Sequence, residues 1–374
     1  MGQKLEIFLS TVPGLEHVLL KEAHMRGFSN PEKSLGGVSI VGSWRDVWRA
    51  NLEMRGASKI LVRLGSFKVA HLAKLDKAAL KFPWHETFPK GSRIKVEVTC
   101  KKSKIYHSKA AAERFEKALK TTIAAEISDE ADLCLKIRII KDICTISVDT
   151  SGEGLHKRGS KQAVNKAPLR ETLAAQILSA CGFKAGDVVV DPMCGSGTFA
   201  IEAAEMTMGL QAGRNRDFAF EQLMSFDANA WQKLKTLAPV QDAVVHAFGF
   251  DRDEGAIAMA TANAKRAGVD DVCAFKRQAI SDLTPPLDGN GDRLPAGLVV
   301  VNPPYGGRIG SEKKLRPLYA ALGKALLENF KGWRFGMVTN SDSLAHATGL
   351  DFDPKALAFS HGGINVKAYQ AKIL

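Results

Sequence analysis

An asparagine, two prolines and a tyrosine follow a run of valines late in the chain, as Asn302, Pro303, Pro304 and Tyr305. The Asn302 side-chain carbonyl can accept one N–H of an exocyclic amine. Consecutive prolines stiffen the turn, so that the Pro303 carbonyl can accept the second N–H. The Tyr305 ring offers a face for a base to stack on, which contributes roughly 1–3 kcal/mol. The pattern predicts a site for a nucleobase amine, and the alternative is an ordinary Asn-Pro turn.

A glycine-containing segment earlier in the chain could bind a small ligand. The residues concerned are Asp191, Pro192, Cys194, Gly195, Ser196, Gly197 and Thr198. They follow a run of valines and precede an apolar helix, so glycine can turn the chain tightly and expose backbone N–H groups at the end of a strand. Asp191 suits a positively charged group such as an amino acid ammonium, although Asp is also a favoured helix N-cap.

An acidic residue, Asp251, ends the next apolar run. An acid in this position can bind both ribose hydroxyls of an adenosine-type ligand. The alternative is a turn residue ahead of Asp253. The order of glycine loop, acidic strand end and Asn-Pro-Pro-Tyr is more specific than any one member. Because the carboxyl ends of parallel strands share one edge of a sheet, we expect the three to converge on one crevice.

The elements that must position these residues alternate between strand and helix in the second half of the chain. This alternation predicts a parallel sheet with helices on both faces. The predicted strands are 187–191, 247–251, 273–278, 298–301, 334–339 and 363–371. The predicted helices are 168–179, 199–206, one ending near 264, and 315–329. Residues 210–242 and 284–297 are predicted to be long connections that shape a substrate mouth.

The first half mixes strands and helices without that alternation. The predicted strands are 4–10, 38–41, 60–64, 93–98 and a hairpin of 133–139 and 143–149. The predicted helices are 15–27, 44–52, 72–80 and 110–125. Trp44 and Trp48 share a helix face with Val47, so we expect them in the core rather than on a base-stacking surface.

The positive charge is concentrated in the first half. Residues 1–160 hold 28 Lys and Arg against 18 Asp and Glu, whereas residues 161–374 hold 24 against 22. This charge distribution favours a first half that binds a polyanion such as nucleic acid. The residues that we expect to contact phosphate are Lys101, Lys102, Lys104, Lys109, Lys157 and Arg158. The alternative is a solvated basic surface.

The cysteine spacing and the length of the apolar runs narrow the class of protein that we expect. The six cysteines are scattered, without the close spacing of a zinc site or a redox dithiol, which predicts reduced thiols in a cytoplasmic protein and no metal. The chain has no apolar run of about 18 residues, so we expect no transmembrane helix and no membrane partner. The N-terminal residues are typical of a strand rather than a signal peptide.

These motifs resemble those of a known family. Asp191-Pro192-Met193-Cys194-Gly195-Ser196-Gly197-Thr198 and Asn302-Pro303-Pro304-Tyr305-Gly306 are similar to the motifs of S-adenosylmethionine-dependent methyltransferases that modify exocyclic amines. Three further segments, 11–16, 154–159 and 168–174, resemble the THUMP-domain guanine-N2 methyltransferases, especially the bacterial enzyme that acts on large-subunit (23S) ribosomal RNA.

The resemblance implies an α/β fold. It comprises an N-terminal ferredoxin-like region at 1–65, a THUMP RNA-binding domain at 66–152 and a linker at 153–166. A Rossmann-like class I methyltransferase domain, with a mostly parallel seven-stranded sheet, follows at 167–374. It further implies S-adenosylmethionine as cofactor and RNA as partner. A tRNA guanine-N2 methyltransferase, an adenine-N6 DNA methyltransferase and a non-catalytic RNA-binding assembly factor remain alternatives, and the oligomeric state is open.

One position departs from the family pattern. An acidic residue that touches the cofactor adenine usually follows the third core strand, but Ala279 stands where it is expected. Asp282 and Gln278 are the residues that could replace it, and we assign Asp282 to the cofactor site.

Overall fold

The computed structural model describes residues 4–161, 169–236, 244, 246–305, 312–361 and 363–373. The chain divides into two compact units. The first unit comprises Met1–Thr11, Leu20–Leu155 and Arg216–Leu237, and the second comprises Val12–Leu19, His156–Asn215 and Ala238–Leu374.

Strands make up two sheets, one in each unit. The strands of the first unit are β1 Leu5–Ser10, β2 Glu32–Ser34, β3 Gly37–Gly42, β4 Lys59–Lys68, β5 Arg93–Lys101, β6 Glu126–Ile127, β7 Leu133–Ile140 and β8 Ile143–Asp149. The strands of the second unit are β9 Val189–Asp191, β10 Ala247–Asp251, β11 Cys273–Arg277, β12 Leu298–Val301, β13 Arg334–Thr339, β14 Leu357–His361 and β15 Ile364–Lys372.

Helices flank both sheets. They are α1 Glu16–Met25, α2 Trp44–Glu53, α3 Leu72–Lys81, α4 Ser108–Ile123, α5 Glu171–Ala180, α6 Thr198–Thr207, α7 Ala228–Thr236, α8 Glu254–Ala267, α9 Glu312–Asn329 and α10 Asp342–His346. Short 3₁₀ turns occur at Trp84–Glu86, Ala219–Gln222, Asp270–Val272 and Ile280–Asp282. Within the described part of the chain, none of the helices is long and apolar enough to cross a membrane.

The first unit is built on one sheet with the strand order β2-β3-β1-β4-β8-β7-β5-β6. The central strand β4 pairs antiparallel with β1 on one side and with β8 on the other, and its register shifts between Arg63 and Gly65. β4 thus joins the strands before residue 65 and the strands after it into a single sheet.

Trp48 lies in the core of the first unit, as its helical spacing predicts. Its side chain is 4% exposed and its ring stacks on Phe220 at 6.0 Å between centroids. Trp44, by contrast, is only half-buried. The segment 216–237 supplies Phe220 and the helix α7, so the long connection predicted at 210–242 carries a helix that sequence patterns missed.

The second unit has the strand order β11-β10-β9-β12-β13-β15-β14. The first five strands are parallel, and β15 runs antiparallel to both β13 and β14. This confirms the predicted mostly parallel, seven-stranded sheet of a Rossmann-like domain. β14 was not predicted.

The valine run before Asn302 is buried because β12 lies in the middle of this sheet. Val299 and Val301 pack into one apolar cluster with Leu322 and Phe335. Leu298 and Val300 pack into the cluster on the other face. Burial of such a side chain stabilises the fold by about 1.5–3 kcal/mol. Packing on both faces therefore fixes the strand end from which the Asn-Pro-Pro-Tyr turn begins.

Candidate functional site

A cavity of about 660 Å³ lies at the carboxyl ends of the parallel strands of the second unit. The strands β9, β10, β11 and β12 each contribute residues that directly follow or end them. The lining residues predicted from sequence are Pro192, Asp251, Asn302, Pro303, Pro304 and Tyr305. The structure thus brings the three predicted motifs together in a space that is large enough for a nucleoside-sized ligand.

Backbone hydrogen bonds fix the glycine loop against β10. Gly195 N donates to Asp251 Oδ2 at 3.0 Å, and Cys194 N donates to the Phe250 carbonyl at 2.9 Å. Gly197 has a φ of +82°, and a Cβ at this position would lie 3.0 Å from the Ala260 Cβ. A glycine is therefore required here both by the left-handed backbone and by the close approach of α8.

Asp251 is held by hydrogen bonds at both carboxylate oxygens. Oδ2 accepts from Gly195 N, and Oδ1 accepts from Asp253 N at 3.0 Å. The remaining lone pairs of the two oxygens can accept hydrogen bonds from the adjacent cavity, as binding to a pair of ribose hydroxyls requires.

Asp191 is buried and is not among the residues that line the cavity. It is 2% exposed, and its Oδ1 accepts from Met193 N at 3.2 Å. Burial raises the pKa of this carboxyl to about 8, and the nearby Asp251 carboxylate contributes to the rise. The Cys194 thiol is buried beside these two acids, and burial raises its pKa so that it stays protonated.

Asn302 carries an unsatisfied acceptor. Its Oδ1 is buried and has no hydrogen-bond partner among the described residues. A buried acceptor without a partner costs about 1–3 kcal/mol. Since Asn302 lines the cavity, an N–H donor that enters the cavity would remove this cost.

The end of the Asn-Pro-Pro-Tyr turn is fastened by a residue that sequence patterns missed. The Tyr319 hydroxyl donates to the Pro304 carbonyl at 3.2 Å and lies 3.3 Å from Thr339 Oγ1. Tyr319 is fully buried, and burial raises the pKa of its phenol to about 12, so the hydroxyl remains a donor. No motif marks this tyrosine, because it lies on α9 and reaches the turn only through the fold.

Tyr305 is half-buried, lines the cavity and packs against the core cluster that includes Val300. Gly306, the last residue of the predicted motif, lies outside the described residues.

Two other predicted cofactor residues, Ser196 and Thr198, line a separate cavity of about 20 Å³. Lys161 Nζ donates to Thr198 Oγ1 at 2.9 Å and pairs with Glu171 at 3.1 Å. Burial raises the pKa of Glu171, against the opposing effect of Lys161. Lys161 falls in the predicted linker, so its contact with the start of α6 was not anticipated. Part of that linker, 162–166, and the predicted helix start at Pro168 lie outside the described residues.

Asp282 is exposed and is not among the residues that line the larger cavity. Its carboxylate accepts from Ser281 Oγ at 3.0 Å.

The predicted phosphate-contacting residues differ in exposure. Five of them have exposed side chains, namely Lys101, Lys102, Lys104, Lys109 and Lys157. Arg158 is 4% exposed, and its guanidinium pairs with the buried Glu202 at 3.3 Å. Burial and the pairing with Glu202 make Arg158 less suited to phosphate contact than the five exposed lysines, and its contact with RNA stays a prediction.

The segment 101–109, which runs from the last residue of β5 to the first turn of α4 and which we call the basic loop, presents its lysines on a fixed backbone. Lys104 N donates to Asp142 Oδ1 at 2.7 Å, and Ile105 is 4% exposed. Tyr106 is 72% exposed beside the lysines. Exposed cations and an exposed aromatic ring are suited to phosphate contact and base stacking.

Three parts of the chain match known domain families. Residues 158–365 match the RMKL-like methyltransferase domain, residues 69–149 match the THUMP domain and residues 6–61 match the RlmL ferredoxin-like domain.

Among curated relatives, the ribosomal RNA large subunit methyltransferase K/L of Psychromonas ingrahamii is 32% identical over 374 residues, covering 96% of this chain and 49% of the relative. The K/L methyltransferase of Syntrophotalea carbinolica is 33% identical, covering 94% of this chain and 51% of the relative. The chain thus spans about half the length of the curated relatives it matches.

Among solved structures, SMU.472, described as a methyltransferase and crystallised with SAH, superposes with a TM-score of 0.87 at 26% identity. The match covers 100% of this chain and 99% of that chain.

Proposed function

Because this chain belongs to the RMKL-like methyltransferase family, we propose that it transfers a methyl group from S-adenosylmethionine to the N2 amine of a guanine in RNA. Large-subunit (23S) ribosomal RNA is the proposed substrate, in keeping with the names of the K/L relatives. We place the protein in the cytoplasm, where that RNA is made.

The domain boundaries given above are part of this proposal. Regions 1–65, 66–152 and 167–374 would be the ferredoxin-like, THUMP and methyltransferase domains, with a linker at 153–166. The matched ranges 6–61, 69–149 and 158–365 support these divisions.

Asp251 in the cavity lining, together with Asp191 and the glycine loop outside that lining, would hold S-adenosylmethionine. Asp251 would bind the ribose hydroxyls, Asp191 would balance the ammonium, and the backbone of the loop at 195–198 would approach the amino acid end. The required Gly197 and the size of the cavity support this assignment. When bound, the cofactor supplies an electrophilic methyl group on a sulfonium.

The protein's own contribution is to align and stabilise the attacking amine. Asn302 Oδ1 and the Pro303 carbonyl would accept its two hydrogens while Tyr305 stacks on the base. The nitrogen becomes positive as it attacks, so these acceptors bind it more strongly in the transition state than in the ground state. Alignment of this kind can lower a barrier by up to roughly 7–11 kcal/mol. The base must be unstacked or single-stranded to enter.

The buried, unpartnered Asn302 Oδ1 is the observation that carries this proposal. It is an acceptor already desolvated in a cavity where the family chemistry needs one. The basic loop adds a surface suited to the RNA backbone, since A-form helices and phosphates are recognised by shape and charge.

A transfer assay with tritiated S-adenosylmethionine tests the substrate class. We expect label in deproteinised 23S ribosomal RNA, and little in transfer RNA or duplex DNA. Preferential labelling of transfer RNA would favour a tRNA guanine-N2 methyltransferase, and preferential labelling of DNA would favour an adenine-N6 methyltransferase, because adenine also has an exocyclic amine. Failure to bind S-adenosylhomocysteine in calorimetry would favour a non-catalytic assembly factor.

A further inference from the structure

The first half of α9 forms a wall of the cavity beside the Asn-Pro-Pro-Tyr turn. Leu318 and Ala321 line the cavity together with Tyr305. Tyr319, which lies between Leu318 and Ala321 in the chain, donates its hydroxyl hydrogen to the Pro304 carbonyl at 3.2 Å. The helix is therefore fastened to the turn on which the target base would stack, and the proposed chemistry gives no role to its cavity-lining side.

Lys314 extends the cavity-lining side of α9 toward solvent. It precedes Leu318 by four residues and Ala321 by seven. Residues at this spacing share one face of a helix, with about 5–6 Å between the Cβ atoms of successive members. Because α9 follows β12, its first turns lie at the carboxyl edge of the sheet, at the rim of the cavity. The side chains of Lys314 and its neighbour Lys313 are both exposed there.

The side of the cavity at the end of β10 carries the opposite charge. β10 lies two strands away from β12 in the sheet. Asp251 and Asp253 line the cavity there, and the exposed Glu254 begins α8. Arg252 also lines the cavity, but three carboxylates stand beside its one guanidinium in the chain. This distribution repels a polyanion from the β10 side and favours its approach along α9.

We propose that Lys313 and Lys314, which we call the α9 lysines, bind the phosphates of the RNA strand on either side of the target nucleotide and hold that strand over the mouth of the cavity. A base that enters the cavity to stack on Tyr305 leaves its sugar-phosphate backbone at the rim. The ammonium groups of the α9 lysines meet the backbone there. This surface is different from the basic loop, since it lies in the second unit. The inference rests on the proposed methylation of a nucleic acid, but not on which base is modified.

Methyl transfer to deproteinised 23S ribosomal RNA by the full chain, measured at several salt concentrations, tests the contact. In the double variant Lys313→Ala, Lys314→Ala we expect kcat/KM to fall about tenfold, as the loss of charged contacts implies. The slope of log kcat/KM against log salt should fall by about 1.4, since each contact with a single-strand phosphate contributes about 0.7. The affinity for S-adenosylhomocysteine should hold. Replacement of both lysines by arginine keeps the charges and should retain kcat/KM.

The double variant Lys324→Ala, Lys331→Ala is the matched control, because it removes the same charge from the far end of α9 and the residues just after it. Both lysines are exposed. Lys324 lies on nearly the same face of the helix as Lys313, about 16 Å farther along its axis. We expect the control to equal the unmodified protein in kcat/KM and in salt slope.

Two results would overturn the inference and leave the proposed function in place. They are an equal fall of kcat/KM in the two alanine variants, and no fall in the variant of the α9 lysines. If the unmodified protein labels no nucleic acid, the proposed function fails and the inference fails with it.

Discussion

The cavity of the second unit and the basic loop of the first unit use polar groups in opposite ways. In the cavity, Asp251 is held by two backbone N–H groups and Tyr319 fastens the Pro304 carbonyl. In the basic loop the backbone is fixed by Asp142, but the lysine side chains lie exposed to solvent. One region fixes the positions of individual atoms, and the other offers charge without fixing where each ammonium lies.

This difference suits what each region is proposed to bind. Methyl transfer depends on the direction of a lone pair, so an error of about 1 Å in the position of one group can cost a hundredfold in rate. Attraction to phosphates is long-ranged, additive and screened by salt. We therefore expect single changes in the cavity to have large effects on the rate, and changes in the basic loop to have effects that grow with the number of charges removed.

Asn302→Ala is the strongest test of the contrast. Loss of the acceptor should lower turnover by about 10²–10³-fold, as removal of a group that stabilises transition-state charge does. The affinity for S-adenosylhomocysteine, measured by calorimetry, should stay nearly unchanged, because the proposed cofactor contacts are Asp191, Asp251 and the backbone at 195–198. Turnover within a few-fold of the unmodified protein would show that Asn302 does not hold the amine.

Replacement of Lys101, Lys102 and Lys104 by alanine should weaken RNA binding about tenfold at moderate salt. The slope of log affinity against log salt should fall by about 2–3, since each phosphate contact contributes about 0.7–0.9 to the slope. Filter binding at several salt concentrations measures both quantities.

The matched control replaces three exposed lysines of the second unit, Lys184, Lys331 and Lys355, which changes the net charge equally. An equal loss of RNA affinity in the control would mean that overall charge, and not the basic loop, attracts RNA.

Tyr319→Phe should lower turnover about fivefold by releasing the Pro304 carbonyl, since one hydrogen bond contributes about 1 kcal/mol. Tyr319 acts through the turn rather than on the substrate, so we expect kcat to fall while KM and the affinity for S-adenosylhomocysteine hold. A fall in affinity with unchanged kcat would instead assign Tyr319 a general structural role.

Binding of S-adenosylhomocysteine should release up to about one proton at neutral pH. The pKa of Asp191 is raised to about 8 by burial, so below that pH the free protein holds this carboxyl protonated. An ammonium placed against it favours the carboxylate, and the proton leaves. Calorimetry at pH 7 in buffers with different ionisation enthalpies measures the release. Asp191→Asn should abolish it, and an unchanged release in this variant would assign the proton to another group.

Sequence patterns predicted one crevice at the strand ends because the residues concerned lie in short, local motifs. Asp191, Asp251 and Asn302 each follow a short apolar run, and parallel strands place such ends together. Tyr319 was not singled out as a site residue because its role depends on the Pro304 carbonyl, which belongs to another part of the chain. Tyr319 reaches the Asn-Pro-Pro-Tyr turn only once α9 packs on the sheet, whereas the Gln278 amide is oriented by its near neighbour Asp282.

Charged residues were harder to place than apolar ones. The residues around Arg158 have the composition of a surface loop. Arg158 is nevertheless buried, because Glu202 on α6 pairs with its guanidinium. A sequence shows the charge of a side chain but not whether a distant carboxylate neutralises it. The helix α7 was missed for a related reason, since the aromatic residues near it pack against Trp48, far away in the chain.

The most direct test of the central claim is the chemical identity of the methylated nucleoside. Purified protein would be incubated with deproteinised 23S ribosomal RNA and S-adenosylmethionine, and the RNA digested and analysed by nucleoside mass spectrometry. We predict N2-methylguanosine as the product, absent when Asn302→Ala replaces the unmodified protein. N6-methyladenosine as the product, or N2-methylguanosine formed equally well by Asn302→Ala, would contradict the account.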